Sequence, residues 1–406
     1  MTQKYDVVLF GATSFVGKIA AHYLAQRQDN SFTWAIAARS QQKLDALLND
    51  LPESTRPNSI IADASDADSL NAMCEQAKVI ISTVGPYALY GEPLIKACIA
   101  SGADYVDLTG EPQWIKRMLD RHSEAATKAG VRLVNSCGFD SIPSDLGVYF
   151  LQQQAQEKYG QTCQRVAMRV HRIKGGASGG TIASMLNLLD EVKKEPSLRK
   201  VIGSPYALCP AGHELKAYQP TVKSAKFDQE TNRWMAPFIM EAINSRIVHR
   251  SNALLDAKYG KRFVYGEAML TGKGLGGAWR ATTMALGLGG FMFAANIRVL
   301  RNILEQKWLP KPGEGPSPME QQNGLFDIRF YGYTESGKRL VAKVTGDRDP
   351  GYGSTAKMLS EAAICLAQNE VVRKKPGGFY TPASVFDDAL FTPLTTHAGL
   401  TFNVIG

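Results

Sequence analysis

The sequence lacks the cysteine and histidine patterns of metal-binding or disulfide-stabilised proteins. Its six cysteines include no C-x-x-C pair, and its six histidines show no metal-ligand spacing. Widely separated cysteines are typical of free thiols in a reducing compartment. The first apolar strand is preceded by no signal-peptide pattern. We therefore expect no metal site and no disulfide framework, and we expect a cytoplasmic protein.

Long apolar runs are also scarce. Residues 284–295 carry no polar side chain, but the run is shorter than the roughly 20 residues that a membrane-spanning helix needs. Three glycines, Gly287, Gly289 and Gly290, interrupt it further. The sequence therefore predicts a buried helix or the wall of an apolar substrate pocket, and a peripheral contact with the membrane surface is the alternative.

The basic residues form no clusters. The formal net charge is +8, but lysine and arginine are scattered along the chain, and this argues against binding to nucleic acid. The positive charge is compatible with an anionic cofactor, an acyl thioester or a membrane surface. The 406 residues, 44% of them hydrophobic, are enough for two or three globular domains.

A dinucleotide-binding pattern stands near the start of the chain. An apolar strand over residues 6–10 leads into a turn and then into an alanine-rich helix. Two glycines would allow the tight turn and the close packing of the helix, and backbone N–H groups would face a pyrophosphate. Ser14 replaces the usual central glycine, so its side chain must point away from the pyrophosphate or bond to it. The predicted cofactor-binding residues of this turn are Gly11, Ala12, Thr13, Ser14, Phe15, Val16 and Gly17.

The end of the second predicted strand, residues 33–38, indicates which dinucleotide binds. An acidic residue at this place hydrogen-bonds the ribose of NAD, whereas a basic one accommodates the 2′-phosphate of NADP. Arg39 occupies the place, with Ser40 and Lys43 nearby. The sequence therefore predicts NADP(H) as the cofactor.

Strands and helices alternate over the first third of the chain, which predicts an N-terminal Rossmann domain with a doubly wound parallel sheet. The carboxyl ends of such strands meet at one ligand crevice. Residues that follow the third and fourth strands therefore join the predicted cofactor-binding set: Asp63, Val84, Gly85, Pro86 and Tyr87.

The later part of the chain differs in character. A glycine-rich stretch at 174–181 lacks the G-K-[ST] ending of a nucleotide-hydrolysing P-loop. Alternation around residues 335–338 predicts a β-hairpin, and residues 355–369 have helical periodicity. We predict a Rossmann domain at 1–145, a substrate or sheet domain at 146–354, and a C-terminal helix and tail at 355–406 that dock on the body.

Taken together, these motifs resemble the saccharopine dehydrogenase-like oxidoreductases, and more narrowly their branch of trans-acting enoyl reductases. The resemblance implies a second, mixed α/β (α+β) domain whose sheet covers the cofactor cleft, and a nicotinamide cofactor. It spans nearly the whole chain. The stretches that carry it are residues 11–17, 37–40, 85–92, 105–111, 137–145, 178–181, 311–316, 346–353, 377–379 and 399–402.

A nicotinamide reductase often needs an acid near the developing negative charge. The candidate proton donors or orienting groups are Tyr87, Glu111, Cys137, Asp140 and Asp145. Each also has a structural alternative. The tyrosine would pack on the cofactor, the glutamate would interact with the dipole of the next helix, the aspartates would cap turns or helices, and the cysteine would be a small buried residue.

Three functions remain open at this point. The first is NADPH-dependent reduction of an enoyl or carbonyl group on a lipid-like acyl substrate. The second is a saccharopine-type amino-acid dehydrogenase, which would need cations to hold carboxylates; Arg172, Lys174 and Arg280 are candidates, although no paired set is evident. The third is a non-catalytic NADP-binding protein associated with lipid or membrane. A homodimer also stays open.

Overall fold

The computed structural model describes residues 4–27, 31–176, 179–307 and 315–406. Within these residues the strands form two sheets of seven strands each. The strands are β1 Tyr5–Phe10, β2 Trp34–Ala38, β3 Asn58–Ile61, β4 Ala77–Ser82, β5 Asp104–Asp107, β6 Arg132–Val134, β7 Cys163–Lys174, β8 Lys226–Asp228, β9 Arg233–Ala236, β10 Val264–Gly272, β11 Leu325–Thr334, β12 Arg339–Gly346, β13 Gly378–Tyr380 and β14 Leu400–Val404.

Helices cover both faces of the first sheet and also pack on the second. Short 3-10 helices lie at Glu53–Thr55 and Asp387–Leu390, and a π-helical turn lies at Pro350–Ser354. The α-helices are α1 Phe15–Gln26, α2 Gln41–Asp50, α3 Ala67–Cys74, α4 Tyr87–Ser101, α5 Pro112–Ala129, α6 Ile142–Tyr159, α7 Gly179–Lys194, α8 Leu198–Gly203, α9 Glu241–Leu254, α10 Gly274–Asn296, α11 Arg298–Lys307, α12 Pro318–Gln322, α13 Thr355–Gln368, α14 Glu370–Arg373, α15 Pro382–Phe386 and α16 Phe391–Thr396.

The first sheet is parallel and has the order β13-β6-β5-β4-β1-β2-β3. Its interior strand β1 is buried along its whole length, because helices cover both faces and its apolar run is continuous. The strand order reverses between β1 and β4, and the crevice at such a switch point is where dinucleotides bind. The predicted Rossmann sheet is confirmed.

The second sheet is mixed and has the order β14-β12-β11-β7-β10-β9-β8. Strands β7 and β10 are parallel, and the remaining pairs are antiparallel. The predicted hairpin is present as β11 and β12. Phe326, Ile328 and Phe330 alternate along β11 and face the core, as the period of a half-buried strand requires. The mixed second domain implied by the resemblance is confirmed.

The C-terminal segment contributes to both sheets. Helix α13 packs on α1 and on the first sheet, β13 extends that sheet beside β6, and β14 pairs with β12 in the second sheet. A buried ion pair between Arg27 and Glu361 joins α1 to α13, with 2.7 Å between Nε and Oε1. The domain limits at 145 and 354 stay predictions.

The expectation of a buried helix at residues 284–295 is wrong. These residues lie in α10, which buries only Gly277, Ala281 and Ala295. Large apolar side chains such as Leu286 and Phe293 are exposed. No single helix in the described ranges is both long and apolar enough to cross a membrane; α10 and residues 298–304 meet that criterion only as a pair, bent by 115°.

Several sequence predictions differ from the structure at their edges. Helix α4 begins at Tyr87, which the sequence analysis placed in the loop that follows the fourth strand. Helix α7 begins at Gly179, so the last three residues of the glycine-rich stretch at 174–181 are helical. Residues 177–178 of that stretch and residues 311–314 of the 311–316 motif lie outside the described residues.

Candidate active site

The glycine turn after β1 has the close contacts that a dinucleotide fold requires. Gly11 has a φ of +84°, and a Cβ on it would lie 2.7 Å from Thr83 Oγ1. A Cβ on Gly17 would lie 2.2 Å from the carbonyl oxygen of Gly11. Any side chain at either position would therefore push the turn away from β4 or the helix away from the turn. These contacts form the cradle in which backbone N–H groups approach a pyrophosphate.

Ser14 is the N-cap of α1. Its Oγ accepts a hydrogen bond of 3.0 Å from the N–H of Gly17 and lies 3.0 Å from Thr83 Oγ1. The hydroxyl of Thr83 is 2.9 Å from the carbonyl oxygen of Gly11, to which it donates. The Ser14 side chain thus points toward the end of β4. The first-turn N–H groups of Phe15 and Val16 have no intrahelical acceptor, as at any helix start, and remain for an anion.

The residues predicted for the adenosine end lie at the ends of β2 and β3. Arg39 and Lys43 are exposed, and Ser40 caps α2 by accepting the N–H of Lys43 at 3.4 Å. The Asp63 carboxylate accepts the N–H and the hydroxyl of Ser65, and these hydrogen bonds, together with the charge of Arg39, lower its pKa. This end of the cleft therefore presents cationic side chains where a 2′-phosphate would lie.

At the other end of the cleft, β4 leads through Val84 into a cis Gly85–Pro86 bond and then into α4. Val84 Cγ2 would lie 2.8 Å from a Cβ on Gly11, so the two turns are packed together. The Tyr87 hydroxyl donates to the carbonyl oxygen of Ser82 at 2.9 Å. Burial raises the pKa of Tyr87. The phenol is held inside the fold rather than in the cleft.

Glu111 stabilises the N-terminus of α4 and not that of its own helix. Its carboxylate accepts the N–H groups of Tyr87 at 2.9 Å and Ala88 at 3.0 Å, and the hydroxyl of Ser184 at 2.8 Å. Burial raises its pKa while these hydrogen bonds oppose the rise. Glu111 therefore connects α4, α5 and α7 beside the cleft.

Cys137 and Asp145 are both buried. The thiol of Cys137 lies 3.7 Å from the carbonyl oxygen of Val134, and burial raises its pKa. The Asp145 carboxylate accepts the hydroxyl of Ser251 at 2.5 Å and the N–H of Ala383 at 2.8 Å. These contacts join α6 to α9 and α15, and burial raises the pKa of Asp145 to about 7. Both side chains are committed to the core.

Asp140 differs from the other four candidates. It lies in the loop between β6 and α6 and keeps some solvent exposure. Its Oδ1 would be 3.1 Å from a Cβ on Gly110, so the carboxyl faces the turn after β5. Burial raises its pKa to about 7, with a smaller contribution from Asp107. In the described part of the chain, no other side chain is hydrogen-bonded to this carboxyl.

Asp107 organises the loops around Asp140 but was not among the predicted site residues. It is fully buried at the end of β5. Its carboxylate accepts the N–H groups of Thr109 and Ser136 and the side-chain amide of Asn135, at 3.0, 2.8 and 2.7 Å. Burial raises its pKa to about 6. A polar residue at the end of a buried strand was its only signal in the sequence.

The segment before α13 covers the start of α1. The ring of Tyr352 meets the ring of Phe15 edge-on, with centroids 4.9 Å apart. The Asp349 carboxylate accepts the N–H groups of Tyr352 and Gly353 at 3.0 and 2.9 Å. The resemblance placed residues 346–353 among its motifs, but only the folded chain brings them onto the dinucleotide turn.

Comparison with known proteins identifies the family. Residues 7–134 match the family described as the saccharopine dehydrogenase NADP binding domain. A Mycobacterium tuberculosis protein, assigned only provisionally as a trans-acting enoyl reductase, is 41% identical over 97% of this chain and 96% of its own. The trans-acting enoyl reductases of Mycobacterium bovis and Mycobacterium ulcerans are 34% and 35% identical over the same shares.

A solved structure supports the fold over the whole chain. Apo saccharopine dehydrogenase (L-Glu forming) from Saccharomyces cerevisiae superposes with a TM-score of 0.56, covering 98% of this chain and 99% of its own at 14% identity. The glycine cradle at residues 11–17 and the cationic side chains near Arg39 fit the cofactor of that family. The chain belongs to the saccharopine dehydrogenase-like oxidoreductases, in the branch of the trans-acting enoyl reductases, and is an NADP(H)-dependent oxidoreductase.

Proposed function

We propose that this oxidoreductase reduces the carbon–carbon double bond of an enoyl group on a lipid-like acyl substrate. The observation that carries the proposal is the similarity, over nearly the full length of both chains, to proteins named trans-acting enoyl reductases. The site supplies the supporting chemistry: a cradle for NADPH, one uncommitted acid and an adjacent apolar helix.

The cofactor would be held by the turn at residues 11–17, by Arg39 with Lys43 at the adenosine phosphate, and by residues 84–87 at the nicotinamide end. When bound, NADPH supplies the hydride that is added to the β-carbon of the enoyl group. The reaction then needs one proton at the α-carbon, and this chain has to provide it.

Asp140 is the proposed proton donor. A carboxyl with a pKa near 7 is partly protonated at neutral pH and close to the optimum for general acid catalysis. The residue is partly exposed, and its carboxyl lies beside Gly110, in the loops that follow β5 and β6. Tyr87, Glu111, Cys137 and Asp145 act in the proposal as parts of the framework, because their polar atoms are bonded within the fold or buried.

Helix α7 would contact the acyl chain. Ser184, on this helix, is hydrogen-bonded to Glu111, and this contact places α7 at the edge of the cleft. Neighbouring positions on α7, Ile182, Met185 and Leu189, carry half-buried apolar side chains. An apolar surface beside the reacting group is what an acyl chain requires.

A saccharopine-type amino-acid substrate is less well supported. Such a substrate needs buried cations that bind its carboxylates. Arg172 and Lys174 are exposed, and Arg280 lies on α10, where its Nε donates to the carbonyl oxygen of Thr271 at 2.8 Å. The buried arginines of α9, Arg246 and Arg250, donate to backbone carbonyl oxygens.

The decisive assay offers the full-length protein NADPH with trans-2-enoyl thioesters of increasing chain length, and separately with glutamate and an aminoaldehyde. We expect NADPH oxidation with the enoyl thioesters and a product heavier by two hydrogens in its mass spectrum. Turnover of the amino-acid pair with no turnover of any enoyl thioester would overturn the proposal.

A further inference from the structure

An apolar helix stands on the surface of the second domain. Helix α10 is exposed along most of its length. Trp279 is 71% exposed, Leu286 70% and Phe293 65%. Large apolar patches on the surface of a protein usually mark a site of contact with a partner or a membrane.

The next helix extends this surface. Helix α11 follows α10 after a bend of 115° and exposes Val299, Leu300 and Ile303, and Ile297 at the bend is exposed as well. We call α10 and α11 together, residues 274–307, the α10–α11 hairpin. Exposed apolar side chains therefore continue from one helix into the next, so a ligand that covers them must be broad and apolar.

The charge of this region indicates what the ligand is. The hairpin has one acidic residue, Glu305, near its end, whereas Arg280, Arg298 and Arg301 lie within it and Lys273 directly precedes it; of these cations, Arg301 is paired with Asp190. Apolar side chains flanked by cations and poor in acidic residues are typical of segments that lie in the interface of an anionic membrane. Two copies of the hairpin would instead bring like charges together, which disfavours association through this surface.

The hairpin is fixed to the body beside the candidate site. Arg301 Nη1 contacts both carboxylate oxygens of Asp190 at 2.7 Å. Lys193 donates to the carbonyl oxygen of Asn296 at 3.0 Å. Both partners belong to α7, the helix whose Ser184 contacts Glu111. One helix therefore connects the apolar surface to the cleft.

We infer that the α10–α11 hairpin is a membrane-docking element that inserts into the interface of a bilayer with anionic headgroups. Removing its apolar side chains from water stabilises the bound state in proportion to the area buried. Lys273 and Arg298 add attraction to the headgroups, which weakens as salt rises. This inference goes beyond the proposed reaction and does not depend on which substrate is reduced.

The experiment is flotation of the full-length protein with vesicles of phosphatidylcholine alone and with phosphatidylcholine containing phosphatidylglycerol. We expect flotation with the anionic vesicles. The double variant L286D/F293D should lose at least about tenfold in bound fraction, and R298E should lose binding to anionic vesicles selectively. The matched control is M319D/V371D, which adds the same charges at two exposed apolar positions outside the hairpin and should float normally.

Two further measurements keep the result interpretable. NADPH binding by each variant reports that the Rossmann domain is folded, and sedimentation reports the oligomeric state. The inference is overturned if the wild-type protein does not float with either vesicle, if the control loses as much binding as L286D/F293D, or if L286D/F293D only converts a dimer to a monomer. If the wild-type protein floats with anionic vesicles but reduces no enoyl thioester, the result counts against the proposed function and not against docking.

Discussion

Ser14 Oγ and Thr83 Oγ1 lie 3.0 Å apart, and this contact joins the N-cap of α1 to the end of β4. The serine that departs from the usual glycine pattern is therefore a structural part of the dinucleotide turn. It caps the helix whose N–H groups would bind the pyrophosphate, while its hydroxyl is directed at the sheet. The departure adds a hydrogen bond without filling the cradle.

Replacing Ser14 by alanine should reduce stability more than cofactor affinity. The variant loses the cap on Gly17, which typically costs about 1 kcal/mol, whereas Ser14→Gly should cost only a few tenths of that amount. Urea unfolding and NADPH titration measure the two effects. A large loss of NADPH affinity at unchanged stability would mean that the hydroxyl binds the phosphate.

Replacing Arg39 by aspartate should reverse the cofactor preference. The variant loses the partner of the 2′-phosphate and repels it, so NADPH binding should weaken by about a hundredfold while NADH binding changes little. Titration with both cofactors measures this. Lys338→Asp makes the same charge change in the β11–β12 turn and should leave both affinities unchanged; equal losses for both cofactors in Arg39→Asp would contradict the assignment.

Replacing Asp140 by asparagine should lower kcat by about a hundredfold or more without weakening NADPH binding. The proton donor must be protonated, and with a pKa near 7 its protonated fraction falls as pH rises. We therefore expect the wild-type kcat to decline as pH increases through about 7, and this decline should be missing in Asp140→Asn.

The pH profile of kcat distinguishes Asp140 from its neighbour Asp145. Asp145 has a similar pKa but is bonded to Ser251 and Ala383. Asp145→Asn should destabilise the fold and leave the alkaline decline of kcat in place. If Asp145→Asn removes that decline and Asp140→Asn does not, the proton donor has been assigned to the wrong carboxyl.

Replacing Glu111 by glutamine should destabilise the protein by about 1 kcal/mol, because the helix N-terminus of α4 loses its anionic partner. The measurement is the midpoint and slope of denaturant unfolding. Glu124→Gln, on the exposed side of α5, is the matched control and should change little. A loss of kcat beyond about a hundredfold at nearly normal stability would identify Glu111 as a catalytic residue instead.

Replacing Glu361 by alanine removes a buried carboxylate and should lower the free energy of unfolding substantially. Its oxygens accept hydrogen bonds from Arg27 and from the hydroxyl of Tyr23, and removing one partner of a buried ion pair costs about 3–5 kcal/mol. Thermal and urea unfolding of Glu361→Ala measure the loss. The control Glu370→Ala removes an exposed carboxylate in α14 and should have little effect.

Local sequence patterns were sufficient to predict the N-terminal Rossmann sheet. Its first strand, turn and helix at residues 6–26 depend on neighbouring residues, and so do the apolar runs of the next strands. Arg39 was predictable for the same reason, since its place at the end of β2 follows from the order of the elements. The hairpin of β11 and β12 was predicted by alternation around a short turn.

The roles of the candidate acids were not predictable, because each depends on contacts distant in sequence. Glu111 meets α4 and α7, and Asp145 meets α9 and α15. Asp140 alone among the five residues is partly exposed, and within the described residues its carboxyl has no side-chain partner. Residues 284–295 were predicted to be buried because of their apolar composition, but in the structure Leu286 and Phe293 are exposed.

The sequence by itself determined that a dinucleotide cradle forms at residues 11–17 and that cationic side chains lie beside it, because both follow from the backbone freedom of glycine and the order of strands. Only the tertiary structure decided which carboxyls are bonded within the fold and which apolar helix faces outward. Burial is set by what packs against a residue from elsewhere in the chain, and composition cannot specify that partner.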